Sequence, residues 1–199
     1  MNLYYTIKRK LIKQTLLNFL FVRIKCNKTW IGASGCGFYI CPDILPKNNN
    51  ISTDKTNDLG EAGICYSAGV GDDLSFDMAI DGDYPFQEIH LFDPTPMTIQ
   101  WIAKQQLSEK FEFHAYGVAG ASGTTSFYLA DTSEASSAAS SSMIVDGNKS
   151  VSKDRKVSVK MKSLKDIAKI NGHTFVDVLK MDIEGAEFDV IESFSSLGE

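Results

Sequence analysis

Short apolar segments alternate with segments of helical periodicity along most of the chain. Ile99, Ile102 and Ala103, for example, recur at the spacing that places side chains on one face of a helix. Strands that alternate with helices form a parallel sheet with right-handed crossovers, so the pattern predicts an α/β fold. Core strands are predicted at 63–67, 87–92, 111–116 and 175–181, a further strand at 157–161, and helices at 75–80, 97–107, 163–170 and 188–194.

Other segments fall outside this repeat. The basic segment 1–25 is predicted to be an amphipathic helix that packs on the domain, because polar residues interrupt it and it is too short to span a membrane. Glycines among aromatic residues at 29–45 indicate a hairpin or a lid, and the polar segment 46–60 indicates a loop. A strand at 123–130 is expected to form a hairpin with the strand before it. The serine-rich stretch 132–152 is predicted to be a long loop, either disordered or functional.

Length and composition are those of a globular domain. A chain of 199 residues can bury a sizeable core. Its formal net charge of −5 argues against a general nucleic-acid binder, which would present a basic face. The four cysteines lack a paired CxxC spacing, so reduced cysteines and a cytoplasmic location are expected.

A glycine-bearing turn after the first core strand is a candidate binding element. Gly69 and Gly71 allow positive φ angles and a close approach of the backbone to a ligand. Leu74 occupies the third glycine position of the dinucleotide fingerprint, and the acids Asp72 and Asp73 disfavour a phosphate. The turn suits a ligand with cationic and hydroxyl groups, and an ordinary strand-to-helix connection is the alternative.

Acidic residues follow three core strands at the places where parallel strands end on one edge of a sheet. They are Asp72 and Asp73, then Asp93, then Asp182, Glu184 and Glu187. Asp93 could accept both hydroxyls of a ribose. Each acid alone could be a solvated residue or a helix cap, but their coincidence favours a binding crevice. Lys180 could pair with these acids or close its strand structurally.

The three histidines are not assigned to the site. His90 and His114 fall inside strands and are expected to be core or face residues, and His173 is expected to be a turn residue. No set of histidine, cysteine and acidic residues shows zinc spacing, so no metal ligand is assigned. A divalent ion held by the acids after the last core strand is the less favoured alternative.

Four segments, in this order, resemble the FkbM-type methyltransferases over nearly the whole chain, from residue 30 to 194. The most specific is Asp182-Ile183-Glu184-Gly185-Ala186-Glu187, which follows a Val-Leu-Lys strand. The others contain Trp30-Ile31-Gly32, the turn from Tyr66 to Asp77, and Phe92-Asp93-Pro94-Thr95-Pro96. The resemblance implies S-adenosylmethionine as the cofactor. It also implies a Rossmann-like class I fold, a mostly parallel sheet with helices on both faces.

The resemblance implies roles for individual residues as well. Gly69 and Gly71 would approach the methionine part of S-adenosylmethionine, with Asp72 near its ammonium group. Asp182 and Glu184 would lie beside the methyl group and the acceptor, one of them as a general base. The cofactor-binding residues implied are Ser67, Gly69, Gly71, Asp72, Phe92, Asp93, Gly117 and Val118, with Asp93 on the ribose hydroxyls and the last two beside the adenine.

These expectations amount to a methyltransferase domain at 26–199 that methylates a hydroxyl of a glycan or a small metabolite. The family fold continues with a fifth parallel strand and an antiparallel pair, so the C-terminal strands are expected to be missing. The last core strand would then be an exposed edge that could pair in a homodimer. A truncated, non-catalytic binding module is the first alternative, and a nucleotide-dependent oxidoreductase is the second.

Overall fold

The structure is a computed structural model that describes residues 26–45, 63–130, 151–183 and 185–195. The segments predicted at 1–25 and 46–60, most of the serine-rich stretch, and Glu184 lie outside the described residues. The strands are β1 Thr29–Ile31, β2 Phe38–Ile40, β3 Gly63–Ala68, β4 Phe86–Phe92, β5 Phe111–His114, β6 Gly117–Ala119, β7 Gly123–Ala130, β8 Val151–Ser163 and β9 Val178–Met181. The α-helices are α1 Ser75–Asp83, α2 Pro96–Ile102, α3 Leu164–Asn171 and α4 Glu187–Ser195, and a 3-10 helix covers Pro42–Ile44.

A four-stranded parallel sheet forms the centre of the described structure, in the order β5-β4-β3-β9. Its register joins Ala68 at the end of β3 to Phe92 on one side and to Met181 on the other. These three strands therefore end together, and the turns after them meet at one edge of the sheet. The parallel α/β arrangement predicted from the sequence is confirmed, and β9 is an edge strand within the described residues.

Successive residues of β3 divide the hydrophobic core into two layers, because side chains alternate between the faces of a sheet. Cys65 points into the layer that contains Ile80 of α1 and Leu91 of β4. Tyr66 points into the opposite layer, which contains Val190 of α4. Both faces of the sheet are thus covered, as parallel sheets require.

Local capping signals set the helix ends. Thr95 caps α2, since its hydroxyl accepts a hydrogen bond from the Thr98 amide at 3.4 Å, and Pro96 occupies the first helical position. The helix ends at Ile102 and not at 107 as predicted. The amide of Gln105 bonds to the Ile102 carbonyl at 3.0 Å, so the last turn tightens to a spacing of three residues.

The strand at 123–130 corrects one prediction. It does not form a hairpin with the core strand before it, since β5 belongs to the four-stranded sheet and β7 to a separate three-stranded sheet. It instead pairs antiparallel with β8, and β6 pairs in parallel with the other edge of β8. The sequence had indicated residues 157–161 of β8 as a strand, but not that β7 and β6 would pair with it.

The segment at 29–45 forms the predicted hairpin, with β1 and β2 antiparallel. Its turn docks on the start of α1, where the amide of Ala33 donates a 2.7 Å hydrogen bond to the Ser75 hydroxyl. Cys26 and Cys41 are joined in a disulfide, so the expectation of reduced cysteines is wrong for this pair. Cys36 and Cys65 are free.

Candidate functional site

A cleft opens where β3, β4 and β9 end together, and its floor is the turn after β3. Gly69 and Gly71 have φ angles of 81° and 60°, in the left-handed region that favours glycine. A Cβ on Gly69 would lie 1.8 Å from the backbone oxygen of Asp182. The turn after β3 and the turn after β9 are therefore packed backbone to backbone, and no side chain can be added between them.

Asp93, at the end of β4, fixes the same turn from the other side. Its Oδ2 accepts a 3.0 Å hydrogen bond from the Gly71 amide. Its Oδ1 accepts one from the Thr95 amide at 2.9 Å and lies 2.7 Å from the Thr95 hydroxyl. The residue is only 5% exposed. A carboxylate offers about four acceptor positions, so Asp93 keeps acceptor capacity on Oδ2, the oxygen beside the cleft-lining Gly71.

Lys180 has a structural role at the base of the cleft. Its side chain is almost buried, and Nζ donates a 2.5 Å hydrogen bond to the Gly69 carbonyl and lies 5.4 Å from the centre of the Phe38 ring. No ion pair between Lys180 and Asp182 forms in the described part of the chain. The strand-end interpretation of Lys180 is therefore favoured over pairing with the acids. Burial raises the pKa of the nearby Asp77 carboxyl, and the Lys180 ammonium partly lowers it.

The motif after β9 divides into a cleft residue and a turn-forming residue. Asp182 is exposed and lines the cleft. The Glu187 carboxylate instead accepts hydrogen bonds from the amides of Ile183 at 3.0 Å and Gly185 at 2.9 Å. Gly185 has a φ of 110°, which explains the glycine in the motif. Glu187 was grouped with the acids of the crevice, but its carboxylate holds the turn that carries Asp182.

The far side of the cleft is apolar. Gly117 and Val118 of β6 are buried beside Phe92, and Phe127 of β7 and Met161 of β8 continue this wall. A Cβ on Gly117 would lie 2.7 Å from the Met161 side chain, so glycine allows β8 to pack against β6 here. The cleft has an empty volume of about 850 Å³, counting the open solvent at its mouth.

The structure brings most of the sequence-predicted residues together in this one cleft. Those that line it are Gly69, Gly71, Asp72, Phe92, Asp93, Gly117, Val118 and Asp182. Ser67 is fully buried and is not among the lining residues, and Glu184 lies outside the described residues.

The sequence analysis missed several residues that line the cleft, namely Cys36, Thr98, Phe127 and Met161. Phe127 and Met161 reach the cleft through the β6-β8-β7 sheet, whose pairing the sequence pattern did not reveal. Cys36 reaches it through the hairpin turn. Partial burial raises the pKa of the Cys36 thiol, as do the charges of Asp73 and Asp72, so this thiol is not an activated nucleophile. The glycines around Cys36 were a possible signal, since they indicate a tight turn.

An open parallel sheet with a glycine turn and an acid at the carboxyl ends of adjacent strands is the arrangement in which α/β proteins bind nucleotide-type ligands. Comparison with protein families specifies the class further. A family model described as the Methyltransferase FkbM domain matches residues 22–198, so the chain belongs to the FkbM methyltransferase family. No curated protein and no solved structure matches the chain significantly. In the part of the chain described by the structure, no helix is long and apolar enough to cross a membrane.

Proposed function

We propose that this chain is an S-adenosylmethionine-dependent methyltransferase with a Rossmann-like class I fold, which methylates a hydroxyl of a glycan or a small metabolite. The observation that carries the proposal is the hydrogen bond from the Gly71 amide to Asp93. It joins a glycine turn, on which a ligand can lie, to a buried acid that can still accept a hydrogen bond from that ligand. Membership of the FkbM family supports methyl transfer as the reaction.

The chemistry of the lining residues fits the cofactor. Asp93 has acceptor capacity left on Oδ2 for a ribose hydroxyl, although three of its roughly four acceptor positions are already used. Asp72 is exposed at the turn and can meet an ammonium group. The apolar surfaces of Phe92 and Val118 suit an adenine ring. When bound, S-adenosylmethionine would supply an electrophilic methyl group on a sulfonium centre.

The contribution of the protein would be mainly to orient the reactants. The backbone contact between Gly69 and Asp182 keeps the floor of the cleft rigid, so a bound acceptor oxygen can be held in one geometry. Asp182 is the described carboxylate placed to take the proton from an acceptor hydroxyl, and Glu184 is the second candidate for this role. Lys180 supports the site by holding the Gly69 carbonyl.

One alternative, a nucleotide-dependent oxidoreductase, is disfavoured by the turn itself. Leu74, at the third glycine position of the dinucleotide fingerprint, is buried in the hydrophobic core. The turn also carries the carboxylates of Asp72 and Asp73, which would repel a pyrophosphate. A non-catalytic binding module is the other alternative. Absence of cofactor binding would favour it, and methyl-transfer activity compared with that of a version extended at its C-terminus would separate it from an enzyme.

Calorimetric titration of the full chain with S-adenosylhomocysteine and, in parallel, with NAD⁺ tests the proposal. We expect micromolar binding of S-adenosylhomocysteine and no saturable heat with NAD⁺. Saturable binding of NAD⁺ alone would support the oxidoreductase. Absence of binding to both, by a chain with the circular dichroism of a folded protein, would leave the non-catalytic module as the better account.

The cellular setting and the assembly state complete the proposal. We propose a cytoplasmic location, although the disulfide between Cys26 and Cys41 is a bond more common in oxidising compartments. Thiol alkylation before lysis, followed by mass spectrometry, measures whether this pair is reduced in the cell. A homodimer through β9 is proposed because this strand is an edge of the described sheet, and sedimentation analysis would detect it.

A further inference from the structure

All three histidines of the chain meet in one cluster, on the face of the parallel sheet opposite α1. His90 lies in β4, His114 lies beside it in β5, and His173 follows the end of α3. Two glutamates of the same strands, Glu88 and Glu112, complete the cluster. His90 is buried, as the sequence predicted, but neither the strand pattern nor the turn signal indicated that His173 would join it.

The carboxylate of Glu88 is the point on which two imidazoles converge. Its Oε2 lies 2.9 Å from Nε2 of His90 and 3.1 Å from Nε2 of His173. The two histidine side chains are 3% and 8% exposed, whereas that of Glu88 is 45% exposed. Two nitrogen donors and one oxygen donor thus meet at the edge of the solvent.

The outer nitrogen of each imidazole also has a partner. His173 Nδ1 lies 2.7 Å from the Tyr66 hydroxyl, and His90 Nδ1 lies 2.9 Å from His114 Nε2. Both partners can accept a hydrogen bond from an imidazole N–H. Metal-bound imidazoles almost always donate their second N–H to such an acceptor, which fixes the tautomer and the ring orientation.

We propose that Glu88, His90 and His173 form a binding site for a divalent ion of the zinc type, with a fourth position open to water. The separations of 2.9 and 3.1 Å are close to the roughly 3.3 Å that bonds of about 2.0–2.1 Å give in a tetrahedral site. Two histidines and one glutamate are an established ligand set for zinc with an open position. The site lies on the same face of the sheet as Phe92, whose ring stacks on His114 with centroids 4.8 Å apart, and the argument for it does not depend on the proposed methyl transfer.

A second set of donors in the same cluster is less suitable. The Glu112 carboxylate lies 3.7 Å from His90 Nδ1 and 3.8 Å from His114 Nε2, and its side chain is 65% exposed. The Asn171 amide nitrogen lies 3.4 Å from His90 Nδ1, where a donor would oppose a cation. Glu112 therefore provides a matched control, because it is also a glutamate of this cluster but is not one of the three proposed ligands.

The test uses the full chain, freed of metal by a chelator and titrated with Co²⁺ while visible absorption is recorded. We expect saturation at one ion per chain, with the intensity typical of tetrahedral nitrogen and oxygen ligands. Glu88→Gln and His173→Gln should weaken binding about tenfold or more, and Tyr66→Phe should weaken it by about tenfold through the outer partner. Glu112→Gln should keep the wild-type affinity. Zinc at a fixed concentration should raise the melting temperature of the wild type and of Glu112→Gln more than that of the other variants.

Three results would overturn the proposal. The first is absence of saturable binding by the wild type. The second is equal weakening by Glu88→Gln and Glu112→Gln. The third is a sulfur-to-cobalt charge-transfer band, which would assign the ion to a cysteine. Circular dichroism of each variant establishes that a loss of binding is not a loss of fold, and Tyr66→Phe keeps the test valid if a histidine variant does not fold.

Discussion

The backbone amide of Gly71 donates a 3.0 Å hydrogen bond to the Asp93 carboxylate, and this contact joins the ends of the two central strands. Asp93 is almost fully buried, and its carboxylate accepts hydrogen bonds from the amides of Gly71 and Thr95 and from the Thr95 hydroxyl, as a buried carboxylate requires. The same acid therefore shapes the turn and offers an acceptor to whatever lies on it. In this account, binding and local structure depend on one side chain.

The first prediction concerns the glycine that separates the two turns. Gly69→Ala would place a methyl group 1.8 Å from the Asp182 carbonyl oxygen, at a φ of 81°. We expect a loss of roughly 1–3 kcal/mol in the free energy of unfolding from the backbone conformation alone. Binding of S-adenosylhomocysteine should fall more than tenfold, because the turn must move. Urea denaturation and calorimetry measure the two effects.

Gly82→Ala is the matched control for this prediction. Gly82 lies in α1, and a Cβ added there would meet no atom within 4 Å. Alanine in a helix is favoured over glycine by roughly 0.5–1 kcal/mol, so this variant should be slightly more stable than the wild type and should bind normally. Equal stability of the two alanine variants would contradict the described contact between Gly69 and Asp182.

The second prediction concerns Glu187, which holds the turn after β9. Glu187→Ala removes the acceptor for the amides of Ile183 and Gly185. We expect the free energy of unfolding to fall by about 1.5–3 kcal/mol. Asp189→Asn removes an exposed charge from the first turn of the same helix and should change the stability by less than about 1 kcal/mol. Chemical denaturation of both variants checks this. If both lost the same amount, the effect would arise from helix charge and not from the turn.

The parallel sheet could be predicted because its signals are local. The apolar runs around Tyr66 and Leu91 show strands, and Thr95 with Pro96 shows where a helix begins. Parallel strands that alternate with helices end at the same edge of a sheet. The turns after β3 and β4, which contain Gly71 and Asp93, are therefore placed together by the strand pattern alone. The sequence could therefore indicate eight of the residues that line the cleft, Asp93 and Gly71 among them.

The remaining features depend on contacts between distant residues. The pairing of β7 with β8 joins residue 123 to residue 161, and no local signal specifies that partner. The role of Glu187 was missed for a different reason. An acidic residue near the start of a helix gives the same sequence pattern whether its carboxylate faces a ligand or accepts hydrogen bonds from a turn. The histidine cluster likewise joins residues 90, 114 and 173, which no short motif connects.

The third prediction concerns acid stability. Asp166 accepts hydrogen bonds from the hydroxyls of Ser122 and Ser163, and these lower the pKa of its carboxyl below the ordinary value of 3.8. A lowered pKa in the folded state stabilises the fold above the unfolded value, and this contribution is lost as the pH falls through the folded value. Stability should therefore fall with pH below about 4, and Asp166→Asn should flatten this slope.

The midpoints of urea unfolding, measured from neutral pH to below pH 4, test this prediction. Ser122→Ala is the useful companion variant, because it keeps the carboxylate but removes the donor with the largest effect on its pKa. Its slope should lie between those of the wild type and Asp166→Asn. An Asp166→Asn variant with the full wild-type slope would show that other carboxylates dominate acid unfolding.

The central claim is tested most directly by the affinity of the full chain for S-adenosylhomocysteine, measured by calorimetry on the wild type, Asp93→Ala and Asp83→Ala. Asp83 is exposed at the end of α1, outside the cleft, and its variant controls for the loss of an acid. We predict that Asp93→Ala weakens binding at least tenfold, about 1.4 kcal/mol, and that Asp83→Ala does not. Equal affinity of a folded Asp93→Ala variant and the wild type would contradict the account.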